Sequence, residues 1–226
     1  MVSILKDIPI EHIRIVPCRI MKSRGIVKSF LIEGEDRLIL VDTGFSDADA
    51  DIIMDAIKDM GRKHEDLKLC VLTHRHGDHT GGLKKLKKTL KFRVMAHELD
   101  MPAIQKSTGY DVESIVKGGE TIPDCGGIRV LHTPGHTEGS ISLHLPHIKT
   151  LIAGDAIVSA GEHLVVSPAY LSSDPQQAER SVKRLIEMNL DLERILVGHG
   201  DDIYEGAKNN LGRIFAGPRG RVASSR

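Results

Sequence analysis

The segment CVLTHRHGDHTGG, residues 70–82, decides how the rest of this sequence is interpreted. It begins as an apolar run typical of a buried strand and, after Thr73, places three histidines and one aspartate within six residues. These ligand-type residues are His74, His76, Asp78 and His79. Imidazole together with carboxylate suits zinc, iron or manganese, and the absence of thiolate from the residues after the strand argues against a closed structural zinc site. The segment therefore predicts an open metal site where a strand ends.

Three other apolar runs also end in a residue that can bind a metal. They are IRVLHTPGH ending at His136, KTLIAGD ending at Asp155 and RILVGH ending at His199. A single histidine in such a loop is more often a satisfied polar group than a ligand. Four strand ends of this kind are expected to meet at one edge of a sheet, which is where α/β folds place their sites.

Short runs rich in β-branched residues alternate with helical patterns along the chain. The runs predict roughly nine strands with about five helices, and the clearest helical patterns cover residues 47–60, 175–189 and 203–215. Asp174 followed by Pro175 is typical of a helix start. The pattern as a whole indicates a mixed α/β architecture.

No linker or repeat divides the interior, so residues 1–216 are expected to form a single domain. Two glycine pairs in KGGETIPDCGG, residues 117–127, indicate a seam between two halves. The segment 217–226 is basic and without apolar periodicity, and it is expected to be disordered.

Composition restricts the class of partner and the compartment. The 226 residues carry 31 Lys plus Arg against 31 Asp plus Glu, and only 3% are aromatic, so neither a basic field nor stacking platforms favour nucleic acid. The charged N-terminus predicts neither a signal peptide nor a membrane span. An odd number of widely spaced cysteines indicates reduced thiols in a cytoplasmic protein: Cys18, Cys70 and Cys125. The expected partner is a small molecule, and the sequence indicates no oligomeric state.

The four motifs resemble those of the metallo-β-lactamase superfamily, most closely its glyoxalase II-like and lactonase-like branches. The matching elements are the H-x-H-x-D-H run from His74 to His79, TPGHT around His136, GD at Asp155 and GHG around His199. The resemblance runs from VDTG at Asp42 to Asp201 and so covers most of the chain. It implies a four-layer αββα sandwich, in which two mixed sheets pack face to face with helices outside.

The resemblance also implies which residue binds which ion. It assigns one metal to His74, His76 and His136, a second to Asp78, His79 and His199, and a bridge between them to Asp155. Two transition-metal ions are therefore expected, zinc first, with iron or manganese as alternatives. A hydroxide held between two such ions can attack at neutral pH without a serine or cysteine nucleophile. Asp78 and Asp155 are the expected catalytic carboxylates.

Asp42 and Tyr170 are two further candidates for the functional site, and each also has a purely structural explanation. The aspartate that matches Asp42 lies behind the metal ligands in the family and can hold a ligand imidazole in one tautomer, whereas an aspartate before Thr-Gly also simply forms turns. Tyr170 falls in a segment that often lines the pocket in the family. Its phenol can polarise a substrate carbonyl, but packing is the more common reason for a tyrosine in such a segment.

The expected reaction is metal-dependent hydrolysis of a small ester-like substrate, thioester or lactone first. The chain continues only a short way past His199, so the C-terminal domain with which full-length hydroxyacylglutathione hydrolases bind glutathione is not expected. A phosphodiesterase of the same fold and a mononuclear non-haem iron enzyme resembling persulfide dioxygenases are the alternatives. His76 argues against flavodiiron proteins, which place a carboxylate there, and a non-catalytic metal-binding module would have lost ligands.

Overall fold

The computed structural model describes residues 12–19, 25–161 and 163–216. The segment 217–226, predicted to be disordered, lies outside the described residues, as does most of the charged N-terminus.

The first half of the chain forms a six-stranded sheet in which the strands follow one another in sequence order. Its strands are β1 (Ile13–Arg19), β2 (Ile26–Glu33), β3 (Leu38–Val41), β4 (Leu67–Val71), β5 (Arg93–His97) and β6 (Ser114–Val116). The first three strands are antiparallel, whereas β3 to β6 run parallel. All four residues of β3 are buried, as is typical of a strand covered on both faces.

The second half forms a five-stranded sheet and a two-stranded ribbon. In chain order its strands are β7 (Thr121–Ile122), β8 (Ile128–His132), β9 (Ile141–Leu145), β10 (Thr150–Ile152), β11 (Ile157–Ala160), β12 (His163–Val166) and β13 (Arg194–Leu196). The sheet has the order β13-β10-β9-β8-β7, and β11 pairs with β12. The nine predicted strands are all present. The four that the sequence did not indicate, β6, β7, β11 and β12, have two to four residues, most of them exposed or half-buried, so they lack a fully buried apolar run.

Six α-helices lie among the described residues. They are α1 (Asp47–Asp59), α2 (Gly77–Thr80), α3 (Leu83–Thr89), α4 (Met101–Thr108), α5 (Pro175–Glu187) and α6 (Ala207–Arg213). The predicted start of α5 is confirmed, because the Asp174 side chain accepts a hydrogen bond from the Gln177 backbone. The last helix is shorter than the predicted 203–215. Ile203 instead exchanges two backbone hydrogen bonds with Ile195, so the chain first extends the second sheet.

Three hydrophobic clusters lie between four layers of secondary structure. The first packs the six-stranded sheet against α1, α3 and α4 and includes Leu40 and Ile53. The second lies between the two sheets and joins Phe30 to Leu143. The third packs the second sheet against α5 and α6. The predicted architecture, two mixed sheets face to face with helices outside, is confirmed.

The chain leaves the first sheet at Val116 and enters the second at Thr121, within the segment 117–127. The extent of the domain over residues 1–216 stays a prediction. In the described part of the chain, no helix is both long and apolar enough to cross a bilayer.

Candidate metal centre

The seven ligand-type residues predicted from the sequence lie together at one edge of the paired sheets. They form three overlapping groups whose nitrogen and oxygen atoms lie within 4.8 Å of one another: His74, His76 and His136; His74, His79 and Asp155; and Asp78, His79 and His199. The residues follow β4, β8, β10 and β13, and Asp42 follows β3. The distance between the strand ends is fixed by the buried sheets, so the cluster rests on a rigid base.

Asp155 lies between the other members of the cluster. Its Oδ1 atom is 3.3 Å from His79 Nε2, and its Oδ2 atom is 3.5 Å from His136 Nε2 and 3.4 Å from His199 Nε2. One carboxylate therefore contacts residues from both of the three-residue groups that the resemblance assigned to separate ions. The backbone passes close by at Gly198, where an added Cβ would lie 2.5 Å from Asp155 Oδ1, so glycine is needed there.

The group of His74, His76 and His136 is uncharged at neutral pH. Burial lowers the pKa of His74 well below its usual value and lowers that of His136 to about 4, and burial also lowers the pKa of His76. His74 Nε2 and His76 Nδ1 are 3.1 Å apart. Neutral imidazole is the form that binds a metal, so these three side chains need lose no proton to do so.

Asp42 holds two ligand-type imidazoles in one tautomer. Its Oδ2 atom accepts hydrogen bonds from His79 Nδ1 at 2.7 Å and from Thr73 Oγ1 at 2.8 Å. Because the Thr73 hydroxyl donates to Asp42, it accepts from His74 Nδ1, 3.1 Å away. Both imidazoles therefore carry a proton on Nδ1 and present Nε2 to the cluster. Asp42 also turns the chain, with φ at 59°.

The remaining imidazoles have partners that the sequence did not indicate. Buried Ser167 contacts His136 Nδ1 at 2.7 Å, and His199 Nδ1 is 3.3 Å from the Ile26 carbonyl oxygen. A serine before proline and a carbonyl on a distant strand have no sequence signature. Tyr170 lies three residues after Ser167, in a short 3₁₀ turn, with 85% of its side chain exposed.

The group of Asp78, His79 and His199 is charged. Burial lowers the pKa of His79, but Asp155 and Asp42 outweigh it and raise that pKa well above its usual value. The pKa of His199 is raised to about 9, because hydrogen bonds to Asp155 and Asp78 outweigh its burial. Both carboxyl pKa values are lowered despite burial, by these same histidines. Protonated His79 and His199 thus supply the positive charge next to the two carboxylates. Metal binding would displace these protons.

Two buried atoms of the cluster lack a hydrogen-bond partner among the described residues. They are His136 Nε2 and Asp155 Oδ1. An unsatisfied buried polar atom costs roughly 1–3 kcal/mol, and a bound cation would satisfy each of these atoms. Imidazole nitrogens and carboxylate oxygens suit a transition metal, so the residues fit metal ions on their geometry and on their donor chemistry.

A family profile described as Metallo-beta-lactamase superfamily matches residues 23–199. The chain belongs to this superfamily. A metallo-beta-lactamase family protein from Thermus thermophilus superposes with a TM-score of 0.72 at 23% identity, covering 91% of this chain and 79% of that one. The metallo-beta-lactamase from Pontibacter korlensis gives a TM-score of 0.75 at 17% identity, covering 90% and 92%. These likenesses show a shared fold.

Several relatives by sequence are named as hydrolases. The probable metallo-hydrolase of Bacillus subtilis (strain 168) is 26% identical over 72% of this chain and 75% of its own length. An N-acyl homoserine lactonase from a Bacillus species is 29% identical over 78% and 81%. A hydroxyacylglutathione hydrolase from Nitrobacter hamburgensis is 36% identical, but the match covers 44% of this chain and 38% of that enzyme.

Proposed function

We propose that this metallo-beta-lactamase superfamily member is a hydrolase that uses two metal ions to cleave a small ester-like substrate, with lactones and thioesters as the preferred classes. The observation that carries the proposal is the position of Asp155, whose two oxygens lie within 3.5 Å of His136, His79 and His199. A carboxylate so placed can serve two cations at once. The free thiols of the described chain favour a reducing compartment, the cytoplasm.

The proposed ligands of one ion are His74, His76 and His136, and those of the other are Asp78, His79 and His199, with Asp155 shared. Each ion then has at least three protein ligands and an open position, as catalytic zinc sites do. Zinc is the preferred ion, and iron or manganese would also suit these donors. When bound, the pair would activate a water molecule for attack and act as a Lewis acid on the substrate carbonyl.

The chain's own residues prepare the site for this chemistry. Asp42 keeps the protons of His74 and His79 on Nδ1, which leaves Nε2 free for metal. The negative charge of Asp155 offsets repulsion between two nearby cations. Asp78 is partly exposed, and its Oδ2 atom lies 3.1 Å from His199 Nε2. We assign to Asp78 a catalytic role as the carboxylate ligand of the second ion.

The sequence relatives favour lactones over glutathione thioesters. The lactonase match extends over 81% of that enzyme, whereas the hydroxyacylglutathione hydrolase match covers 38% of its length. The likeness to the lactonase therefore includes most of both chains, whereas the likeness to the hydroxyacylglutathione hydrolase includes less than half of either chain. A lactone or a small thioester with no glutathione moiety is the substrate that we propose.

A substrate panel tests the proposed function. Zinc-loaded protein is expected to hydrolyse an acyl lactone or a small thioester at least about tenfold faster than a β-lactam or bis-nitrophenyl phosphate, since the lactonase likeness extends over most of the chain. Rates are measured as kcat/KM for each substrate. Removal of metal with a chelator should abolish the activity, and added zinc should restore it. Oxygen consumption with a persulfide, in the absence of any hydrolysis, would instead support the iron dioxygenase alternative.

Alkylation of cysteine is expected to leave the hydrolytic rate unchanged, because no thiol is the nucleophile. Burial raises the pKa of Cys18 to about 12 and that of Cys125 to about 11, and it raises the pKa of Cys70 well above its usual value. At about pH 7.5 these groups are therefore thiols and react slowly. The measurement is kcat after iodoacetamide treatment of the native protein, with labelling of unfolded protein as the control. Loss of activity in step with labelling would contradict the metal-based mechanism.

A further inference from the structure

The Asp100 carboxylate lies behind the three-histidine group, at the junction of β5 and α4, and is completely buried. It accepts four hydrogen bonds. Its Oδ2 atom accepts from the Arg75 backbone N–H at 3.0 Å and from Thr137 Oγ1 at 2.6 Å. Its Oδ1 atom accepts from Arg75 Nη1 at 2.6 Å and from the Gly139 backbone N–H at 3.0 Å. Each carboxylate oxygen therefore accepts two hydrogen bonds.

The four donors belong to two separate loops. Arg75 lies between His74 and His76, and Thr137 and Gly139 follow His136. Each Asp100 oxygen bonds to one donor from each loop. A single side chain therefore connects the loop that carries two of the histidines with the loop that carries the third.

Asp100 does not have the role that its place in the sequence suggests. It precedes the first residue of α4, where an aspartate usually accepts a hydrogen bond from the start of the helix. Its side chain makes no such bond. The carboxylate is directed instead to the two loops, and the Gly139 backbone approaches so closely that an added Cβ would lie 2.7 Å from Asp100 Cγ.

Arg75 extends the connection beyond Asp100. Its guanidinium also contacts the Glu138 carboxylate and donates to Ser173 Oγ at 3.2 Å. The Ser173 backbone in turn donates to the His136 carbonyl oxygen at 3.0 Å. Bonds of an arginine to a buried carboxylate are among the stronger hydrogen bonds in proteins, so they restrict the relative movement of the two loops.

From these contacts we propose that Asp100 is a positioning residue that sets the spacing of His74 and His76 from His136, and thereby the affinity of this group for a transition metal. The inference rests on the proposed function, because it assumes that the three histidines bind an ion. Residues that hold metal ligands in place typically change metal affinity by 10–100-fold when they are replaced. Glu138, the second carboxylate on Arg75, is 57% exposed and offers a matched comparison.

The test compares Asp100→Asn with Glu138→Gln. Metal-free proteins are titrated with Co²⁺, and the visible absorption and competition with a chromophoric chelator give the affinity of each ion. Asp100→Asn keeps the shape of the side chain, but it replaces one oxygen by an NH2 group. That group is a donor, and it would face donors from which the oxygen accepted hydrogen bonds. We expect about 10–100-fold weaker binding of one ion and an altered absorption spectrum, with the second ion unaffected. Glu138→Gln is expected to change neither affinity more than about twofold, as exposed ion pairs contribute little.

A second variant, Thr137→Val, controls for a folding defect in Asp100→Asn. Thr137→Val removes one of the four hydrogen bonds and keeps the carboxylate, and it should weaken the same ion by a smaller factor. Thermal melting of the metal-free proteins reports stability separately from affinity. Wild-type affinity for both ions in Asp100→Asn and Thr137→Val would overturn the proposal, even if their melting temperatures fell.

The test separates this inference from the proposed function. If the wild-type protein bound one ion only, the two-ion function would be contradicted, and the effect of Asp100→Asn would still be measured on that ion. If the wild-type protein bound no ion, both would be overturned.

Discussion

Replacing Asp155 by alanine is expected to lower kcat/KM by at least about a thousandfold and to leave the protein folded. Lewis-acid stabilisation by a metal contributes several kcal/mol to a transition state, and each 1.4 kcal/mol corresponds to a factor of about ten in rate. Asp155 is the residue whose oxygens lie within 3.5 Å of histidines in both proposed ligand groups. Without it, no carboxylate is shared by the two groups to offset the repulsion between two cations.

The metal content should fall together with the rate. Wild-type protein is expected to bind about two ions per chain, since seven ligands suffice for two open sites. In Asp155→Ala the histidines at positions 74, 76 and 136 remain, so about one ion should be retained. The group of Asp78, His79 and His199 is expected to lose its ion first, because two of its three members contact Asp155.

The experiment measures metal content, thermal melting and hydrolysis of the best panel substrate. Asp191→Ala is the control, since Asp191 is an exposed carboxylate paired with Lys149 and should change none of the three. Two ions per chain and a rate near that of the wild type in Asp155→Ala would show that Asp155 does not join the two sites.

The second large effect concerns stability. Lys28→Met is expected to lower the free energy of unfolding by about 3–5 kcal/mol, because it leaves a buried carboxylate without its cation. Lys28 Nζ lies 2.6 Å from Asp202 Oδ1 and 2.8 Å from the Gly200 carbonyl oxygen, and both side chains of the pair are only 1% exposed. The pair attaches the loop of His199 to β2. Urea denaturation of metal-free protein measures the change.

The double variant Lys28→Met/Asp202→Asn tests this explanation. Asparagine removes the unpaired charge and can still accept the hydrogen bond that Asp202 Oδ1 receives from the Val197 backbone. The double variant should therefore recover about 1–3 kcal/mol relative to Lys28→Met alone. If the loss in the double variant equalled the sum of the losses in Lys28→Met and in Asp202→Asn alone, the ion-pair explanation would be contradicted.

The same pair predicts how the Lys28→Met variant responds to pH. Burial raises the pKa of Asp202, and Lys28 opposes that rise in the wild type. With Lys28 removed, the folded-state pKa should rise further above the unfolded value of about 3.9. The folded state then binds more protons at this group than the unfolded state, so the contribution of Asp202 to stability is greatest below about pH 4 and is lost as pH rises through the folded-state pKa. The variant should lose more stability relative to wild type at about pH 8 than at about pH 5.

The ligand-type residues could be predicted from the sequence because their signal is local. In each of the four segments an apolar strand runs directly into a histidine or aspartate, and a strand of known direction determines where its next residue lies. Nine strands were equally predictable from their apolar runs, including the three-residue strands β10 and β13, which are almost wholly buried. The strands β6, β7, β11 and β12 were not, since each lies at a sheet edge or in the two-stranded ribbon and contains exposed or half-buried residues.

By itself, therefore, the sequence determined the α/β class, the candidate ligand set and the order of those ligands along the chain. Only the tertiary structure decided which residues hold the ligands in place. Ser167 contacts His136, and Asp100 connects two ligand loops. Lys28 binds Asp202, which is 174 residues away in the sequence. Asp100 shows the physical reason. Its place before a helix predicts a cap, and the carboxylate turns away from the helix because the packing of the two sheets brings Arg75, Thr137 and Gly139 within hydrogen-bonding distance. Local propensity carries no information about donors that arrive from other strands.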